Sequence, residues 1–290
     1  MSHAVADPPT TAPEHDPEHD PVARALIESA LSGIGMAAAG ANVIMQLSML
    51  PVGHGVAKSR VDSGRVDTHP IKRTRTTLSY LAVALLGTDD ERDAMRREVD
   101  RQHRQVRSLP GDPVKYNAFD TGLQLWVAAC LYKGTEDIAR VAGVERTDEE
   151  LERIYRYCAR LGTTLQVRPE QWPRDREAFQ AYWDAKLAEI EMDDLTRRYL
   201  QGIARAEFLG KPWSWLLGPL VQLQSVGFLP PEFRDELGLP WTARDQKLFD
   251  VMMSTWAAVD RRIPPIIRRF PFNMYLWDVR LRIRLGRPIV

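Results

Sequence analysis

Three side chains in one block of the chain could bind a ligand together: Arg73, Thr77 and His103. Arg73 and Thr77 are four residues apart, a spacing that places both on one face of a helix. His103 lies four residues after Val99 and three before Val106, on the narrow apolar stripe of a strongly charged helix. The sequence therefore predicts a buried imidazole that faces a guanidinium group and a hydroxyl group.

A pocket of this kind suits an anionic, flat or oxygen-bearing ligand, and a haem meets that description. A neutral imidazole binds iron, an arginine pairs with a carboxylate such as a haem propionate, and apolar walls enclose the macrocycle. Each side chain also has a structural alternative. His103 could be a hydrogen-bonded core residue, Arg73 could form an ion pair, and Thr77 could donate to a carbonyl of its own helix. The residues alone leave these alternatives open.

Patterns of other common catalytic sites are missing from the chain. His54 and His69 belong to no HExxH or related zinc pattern, and there is no Walker A loop, GxSxG elbow or GxGxxG motif after a strand.

Basic and acidic residues balance at 39 each, so no overall field attracts nucleic acid, and none is expected as a partner. Cys130 and Cys158 form no CxxC pair, and they fit burial in a reducing compartment better than a disulfide.

The helices that position the three side chains are marked by their ends. The run 73–86 is apolar nearly all round, which predicts a central buried helix that Gly87 ends. Thr88 and Glu91 form a capping box, which predicts a new helix over about 89–107 with acids in its first turn and arginines in its last. His103 is the only histidine of that helix.

The rest of the chain also reads as helical. Asn117 or Asp120 is predicted to cap the next helix, and Thr147 with Glu150 forms another capping box. No run of period-two alternation or fixed repeat occurs. Further helices are predicted over 174–190, 193–208, 213–226, 242–262 and 272–284. The prediction is an all-α fold: one multi-helix domain over residues 21–290 that encloses the pocket.

Residues 1–20 are rich in Pro, Asp, Glu and His, and their composition predicts a disordered tail without a secretory signal. From Ser29 to Ala57 the chain has no Asp, Glu, Lys or Arg, a span long enough to cross a bilayer. Its glycines and Asn42 favour two buried helices, or one helix packed closely through small residues, and Pro51 with a turn at Gly53-His54-Gly55 is predicted to end the stretch. A cytoplasmic protein is expected, with membrane association through this span as the alternative.

Beyond these physical signals, the chain resembles the MpaB-type oxygenases, a family that includes the latex-clearing proteins (rubber oxygenases). The resemblance covers roughly residues 25–285 and is densest from Arg73 to Trp126. The matching segments are Gln46-Leu47 to Pro51, Gly55-Val56, Arg73-Thr74-Arg75-Thr76-Thr77-x-x-Tyr80-Leu81, Gly87, Val99-x-x-x-His103-x-x-Val106, Tyr116-x-Ala118-x-Asp120, Leu125-Trp126-Val127, Phe179-x-x-Tyr182-Trp183 and Leu276-Trp277-Asp278-x-Arg280.

The resemblance implies an all-helical domain that binds haem b. It implies that His103 is the proximal iron ligand and that Arg73 and Thr77 lie near the haem and support activity. In rubber oxygenases a lysine just before the matching threonine can occupy the distal iron site. Here that residue is Thr76, so no such closing ligand is expected.

Two departures concern the substrate and the surroundings of the ligand. Arg101, Arg104 and Gln105 flank His103 where rubber oxygenases carry extra histidines, which argues against polyisoprene as the substrate. Leu50 precedes Pro51 where many family members have a histidine.

The leading hypothesis is a haem-dependent oxygenase that uses dioxygen on an apolar, unsaturated, isoprenoid- or lipid-like substrate. The family's best-attested chemistry is oxidative cleavage of a carbon–carbon double bond. The alternatives are a non-catalytic haem- or lipid-binding helical protein and a purely structural domain. In the enzyme, the second ring nitrogen of His103 is expected to donate to a carbonyl or carboxylate.

Overall fold

The computed structural model describes residues 16–58 and 68–289, whose buried apolar side chains form a shared core. Apart from one isolated bridge, between Arg107 and Asn117, these residues contain no β-structure, which confirms the prediction of an all-α fold. The α-helices are α1 Pro21–Ala30, α2 Ala39–Ser48, α3 Leu50–Ala57, α4 Pro70–Leu86, α5 Asp89–His103, α6 Thr121–Ala142, α7 Asp148–Tyr157, α8 Arg160–Thr163, α9 Arg176–Leu187, α10 Asp194–Ala204, α11 Trp213–Gly227, α12 Pro231–Leu237, α13 Ala243–Asp260, α14 Pro265–Arg268 and α15 Phe272–Arg284.

Side-chain caps fix where the helices begin. Thr88 accepts a hydrogen bond from the backbone N–H of Glu91 at 3.3 Å, and the Glu91 carboxylate accepts one from the backbone N–H of Thr88 at 3.0 Å. Thr147 and Glu150 repeat this capping box at the start of α7. Asp120 caps α6 by accepting from two backbone N–H groups. The predicted helix starts at these positions are confirmed.

The later helices lie close to their predicted ranges, whereas the helix with His103 is shorter than predicted. Instead of continuing to residue 107, α5 ends at His103, because the chain turns there and the backbone N–H of Val106 donates to the carbonyl of His103 at 2.9 Å. The patterns also missed α1, α12 and α14, each of which begins at a proline and has ten residues or fewer.

Helix α6 runs through the centre of the core. The ring of Trp126 stacks on Trp183 with centroids 5.2 Å apart, and its indole N–H donates to the carbonyl of Met45 in α2 at 3.2 Å. Helix α2 approaches α6 closely at Gly134, where a Cβ would collide with the amide group of Asn42. This close approach fixes α2 beside α6, and both helices form walls of the site described below.

The charge-free stretch from Ser29 to Ala57 is broken into pieces. It contains the end of α1, a 3₁₀ helix at Gly33–Ala38, α2 and α3. The expectation that Pro51 and a turn at Gly53-His54-Gly55 end this stretch is wrong, because all four residues lie in α3, and Pro51 occupies its first turn, where a missing N–H costs nothing. In the part of the chain that the structure describes, no single helix is long and apolar enough to span a membrane. Only the pair Pro21–Ala30 and Gly33–Ser48 qualifies together, and it is bent by 78°.

Helix α4 is fixed at its C-terminal end by a buried arginine. The guanidinium group of Arg160 donates to the carbonyls of Ala84 at 2.8 Å and Gly87 at 2.6 Å, which have no partner within the helix. Tyr80 adds a bond from its hydroxyl to the carbonyl of Leu161 at 2.6 Å. Arg160 makes a third bond, to the carbonyl of Glu18 at 2.7 Å.

That third bond shows that residues 16–20 belong to the folded structure, although their composition predicted a tail. Glu18 accepts from the largely buried Arg92 at 2.7 Å, and Asp20 is buried and caps α1. The polar composition predicted disorder for these residues, but Glu18 accepts hydrogen bonds from side chains of α5 and α8. Residues 1–15 of the predicted tail lie outside the described residues.

The Glu18 contact can be tested by its contribution to stability. We expect Glu18→Ala to lower the free energy of unfolding by about 2–4 kcal/mol, because it leaves Arg92 largely buried with only part of its partners. The matched control is Glu170→Ala, which removes an ion pair whose side chains are 65% and 67% exposed and should therefore have a much smaller effect. Equal effects of the two substitutions in urea unfolding would contradict a structural role for residues 16–20.

Candidate functional site

A cavity of about 250 Å³ lies among α2, α3, α4, α5 and α6, and we refer to it as the histidine cavity. Its walls are mainly apolar, with Val52, Val56, Val99 and Leu123 among them. His103, Arg73 and Thr77 all line it. The structure therefore brings together the three side chains whose spacing suggested a pocket.

A second apolar cavity of about 250 Å³ lies next to it, and we refer to it as the aliphatic cavity. Leu26, Ile27 and Leu31 of the N-terminal segment form one side of it. The two cavities share six lining residues, which are Gln46, Leu47, Val56, Arg73, Thr77 and Leu131. The face of α4 that carries Arg73 and Thr77 therefore lies at the junction of the two spaces.

Arg73 has no acidic partner in the part of the chain that the structure describes. No carboxylate of the described residues lies within ion-pair distance of its guanidinium group, in contrast to Arg92 with Glu18. Burial lowers the pKa of Arg73 from its ordinary value, and the Tyr199 hydroxyl opposes that shift. An arginine still remains protonated at neutral pH. The ion pair proposed as its structural alternative is thus not seen among residues 16–58 and 68–289, and Arg73 is the one charged side chain among the six described residues that line both cavities.

The structural alternative for Thr77 is also not seen at that residue. Bonding back to the helix occurs instead at the neighbouring Thr76, whose hydroxyl donates to the carbonyl of Lys72 at 3.0 Å. Among the described residues, the Thr77 hydroxyl makes no bond of this kind, and it lines both cavities. Thr77 can therefore serve a ligand as a hydrogen-bond donor or acceptor.

His103 is a neutral imidazole at physiological pH. Its pKa is lowered to about 4, first by burial and second by the positive charge of Arg73. Its Nδ1 atom is buried and has no hydrogen-bond partner among the described residues, so the expected bond from a ring nitrogen to a carbonyl or carboxylate is not found there. The ring instead meets Phe119 edge-on, with centroids 6.2 Å apart. A neutral ring offers a lone pair to a metal.

The loop after α5 forms the remaining wall of the histidine cavity. It folds back on itself: the backbone N–H of Ser108 donates to the carbonyl of Tyr116 at 2.8 Å, and that of Ala118 donates to Val106 at 2.9 Å. Gly55 of α3 lets this loop approach, because a Cβ there would lie 3.3 Å from the ring of Tyr116. These contacts place Tyr116 and Ala118 beside His103 in the cavity wall.

Two other histidines lie away from both cavities. His54 is buried, and its Nε2 atom lies 2.6 Å from a carboxylate oxygen of Asp193 at the start of α10. His69 is exposed at the start of α4. Tyr199 of α10 was missed by the sequence patterns, although it lines the aliphatic cavity and interacts with Arg73. Nothing in the sequence around Tyr199 indicates this role, because α10 is remote from α4 along the chain.

The residues present fit a haem. Among the described residues no group of three or more His, Cys, Asp or Glu side chains could hold a metal ion, but a haem iron needs only one such ligand. His103 supplies a neutral ring with a buried, unpartnered nitrogen. Arg73 supplies an unbalanced charge for a carboxylate, and the walls around both are apolar.

The low pKa of His103 predicts a pH dependence for the apoprotein. Its folded-state pKa of about 4 lies below the ordinary 6.5, so the unfolded chain binds the proton more readily between these values. The stabilisation is complete above about pH 6.5 and is lost as the pH falls towards 4. We expect His103→Gln to reduce this loss in urea unfolding curves, whereas His69→Gln, at an exposed site, should leave it unchanged. An identical slope for His103→Gln and the unsubstituted chain would refute the burial of the imidazole.

Comparisons with known proteins identify a family and two relatives. The sequence profile of the family described as "ER-bound oxygenase mpaB/B'/Rubber oxygenase, catalytic domain" matches residues 28–258. The chain is similar to the uncharacterized protein Rv2237 of Mycobacterium tuberculosis and to the uncharacterized protein Mb2261 of Mycobacterium bovis. Each is 46% identical over 250 residues, which cover 86% of this chain and 98% of the relative. No solved structure matches.

Proposed function

Because the chain belongs to the catalytic-domain family of the ER-bound oxygenase mpaB and the rubber oxygenases, we propose that it is a haem-dependent oxygenase of an apolar, unsaturated substrate. The observation that carries the proposal is the junction of the two cavities. A neutral imidazole with an unpartnered nitrogen and an unbalanced guanidinium group line the same apolar space. A structural core would bring such groups into contact with partners.

In this proposal His103 holds the iron of haem b through one ring nitrogen. The bound haem supplies the chemistry of dioxygen. Arg73 would pair with a propionate of the haem, or it would stabilise a negatively charged oxygen at the junction. Thr77 lies one helical turn further along α4 and hydrogen-bonds a polar atom at the junction.

The aliphatic cavity is suited to the substrate. Leucine, isoleucine, valine and alanine side chains make up more than half of its lining, so an unsaturated hydrocarbon chain would exchange water for apolar contacts. It meets the histidine cavity at Arg73 and Thr77, where a double bond could come close to the haem. The same apolar walls exclude water, which strengthens the electrostatic effect of Arg73.

The cofactor proposal predicts an absorption signature. Protein produced with a haem precursor should show a Soret band, and His103→Ala should remove it, because the iron loses its ligand from the protein. His69→Ala is the matched control and should keep the band, since His69 lines neither cavity. A band that is unchanged in a folded His103→Ala variant would refute the ligand assignment, and a colourless unsubstituted protein would favour the structural alternative.

A second experiment separates an enzyme from a non-catalytic haem or lipid carrier. We expect Arg73→Met to lower dioxygen uptake with an unsaturated lipid about a hundredfold, the effect of removing one charge-stabilising group from an apolar site. The control is Arg101→Met, whose side chain next to His103 is 54% exposed and paired with Glu98. Haem content and dioxygen uptake are measured on the same samples. Unsubstituted protein that holds haem but takes up no dioxygen with any lipid tested would favour the carrier.

A further inference from the structure

The C-terminal part of the chain has an apolar face that nothing in the described structure covers. Helix α15 has two apolar faces: Phe272, Leu276 and Val279 are buried, whereas Trp277 is 63% exposed. Met274, Trp277 and Leu281 follow at intervals of three and four, so they share the outer face of the helix. A soluble helix normally has polar side chains on that face.

The exposed face continues into the turn before α15. Ile266 and Ile267 in α14 are 75% and 61% exposed, and Phe270 is 54% exposed. Pro264 and Pro265 precede the two isoleucines and hold them at a tight turn at the end of α13. Together, α14, Phe270 and the outer face of α15 form what we term the C-terminal face. Exposed apolar areas of this extent usually mark a binding surface.

The charge of the same segment identifies the kind of partner. Residues 261–290 contain eight arginines (261, 262, 268, 269, 280, 282, 284 and 287) and one acid, Asp278, a balance of +7 in a chain whose net charge is zero. Arg261, Arg262, Arg284 and Arg287 are exposed. Apolar side chains flanked by arginines are the pattern of helices that lie in the surface of an anionic membrane.

The same charge argues against a second copy of this chain as the partner. Arg269 and Arg280 lie in ion pairs with Glu28 and Glu91, but a two-fold interface places each face against itself, so the exposed arginines of one copy would meet the same arginines of the other. Helix α11 also exposes apolar side chains, including Trp215, but no charged residue occurs between Lys211 and Glu232. No charge complement there identifies a partner, and α11 is therefore not part of the assignment.

We propose that the C-terminal face docks the protein onto a membrane that contains anionic lipids. Ile266 and Ile267 insert at the boundary between headgroups and acyl chains, Trp277 lies in the headgroup layer, and the arginines contact lipid phosphates. The face begins beside the aliphatic cavity, because Phe272 lines that cavity and packs on Gly35. If the proposed function holds, an apolar substrate dissolved in the membrane has a short route to Arg73 and Thr77.

Sedimentation with vesicles tests the docking surface. The purified full chain should bind vesicles of equimolar phosphatidylcholine and phosphatidylglycerol, bind vesicles of phosphatidylcholine alone about tenfold or more weakly, and dissociate as salt rises. Arg284→Glu with Arg287→Glu should weaken binding at least about tenfold. The charge-matched control is Arg168→Glu with Arg174→Glu, two arginines that are 65% and 87% exposed elsewhere, and it should bind as before.

A second set of variants tests the apolar part of the face. Ile266→Ser with Ile267→Ser should also weaken binding at least about tenfold, whereas Leu109→Ser, at an exposed apolar residue of another loop, should not. All of these side chains are exposed, so circular dichroism should show folded variants.

The proposal is overturned by an absence of binding to the anionic vesicles, or by equal binding of the face variants and their controls. It is also overturned if size-exclusion chromatography shows a dimer that the face variants dissociate. Vesicle binding is measured without substrate and does not depend on haem, so its outcome is separate from that of the proposed function.

Discussion

The site depends on one positive charge, that of Arg73, which is held where two apolar cavities meet. Burial of this guanidinium, which has no acidic partner among the described residues, costs free energy and lowers the pKa of the group. The same charge, together with burial, keeps His103 from binding a proton, so the imidazole retains a lone pair for a metal. One cation therefore attracts an anionic ligand and keeps its neighbour neutral. A ligand that brings a carboxylate would offset the cost of burying the Arg73 guanidinium.

The surrounding framework distinguishes this arginine from the structural ones. The side chains of Arg160 and Arg92 expose less of their surface than Arg73 does, but each has hydrogen-bond partners. Arg160 donates to backbone carbonyls at the end of α4, and Arg92 donates to Glu18 and two threonines. Arg75 bonds the carbonyl of Ile289 and lies 3.5 Å from Asp278 of α15. Arg160 thus fixes the C-terminal end of α4, and Arg75 fixes one flank of that helix against α15. The position of Arg73 follows from how firmly that helix is held.

Local signals predicted the parts of the structure that short-range physics controls. Capping boxes at Thr88 and Thr147 act within three residues, and the shared face of Arg73 and Thr77 needs only one helical turn. Contacts across long separations carry no such signal. The approach of Tyr199 to Arg73 depends on how α10 packs, and the order of residues 16–20 depends on Glu18 reaching α5 and α8. The loop that folds back after His103 sets the end of α5. The spacing of apolar residues along the helix does not predict this loop.

Helix α15 connects the surface of the protein to the site. Its inner face packs on α4, the helix with Arg73 and Thr77, and its first residue, Phe272, forms part of the aliphatic cavity wall. Its outer face is apolar and cationic, although the chain as a whole balances 39 basic against 39 acidic residues. A partner that held the outer face would therefore be separated from α4 by the thickness of one helix, about 10 Å. Phe272 and Arg73 line the same cavity, so the helix that carries the outer face also contributes to the wall of the space that holds the charge.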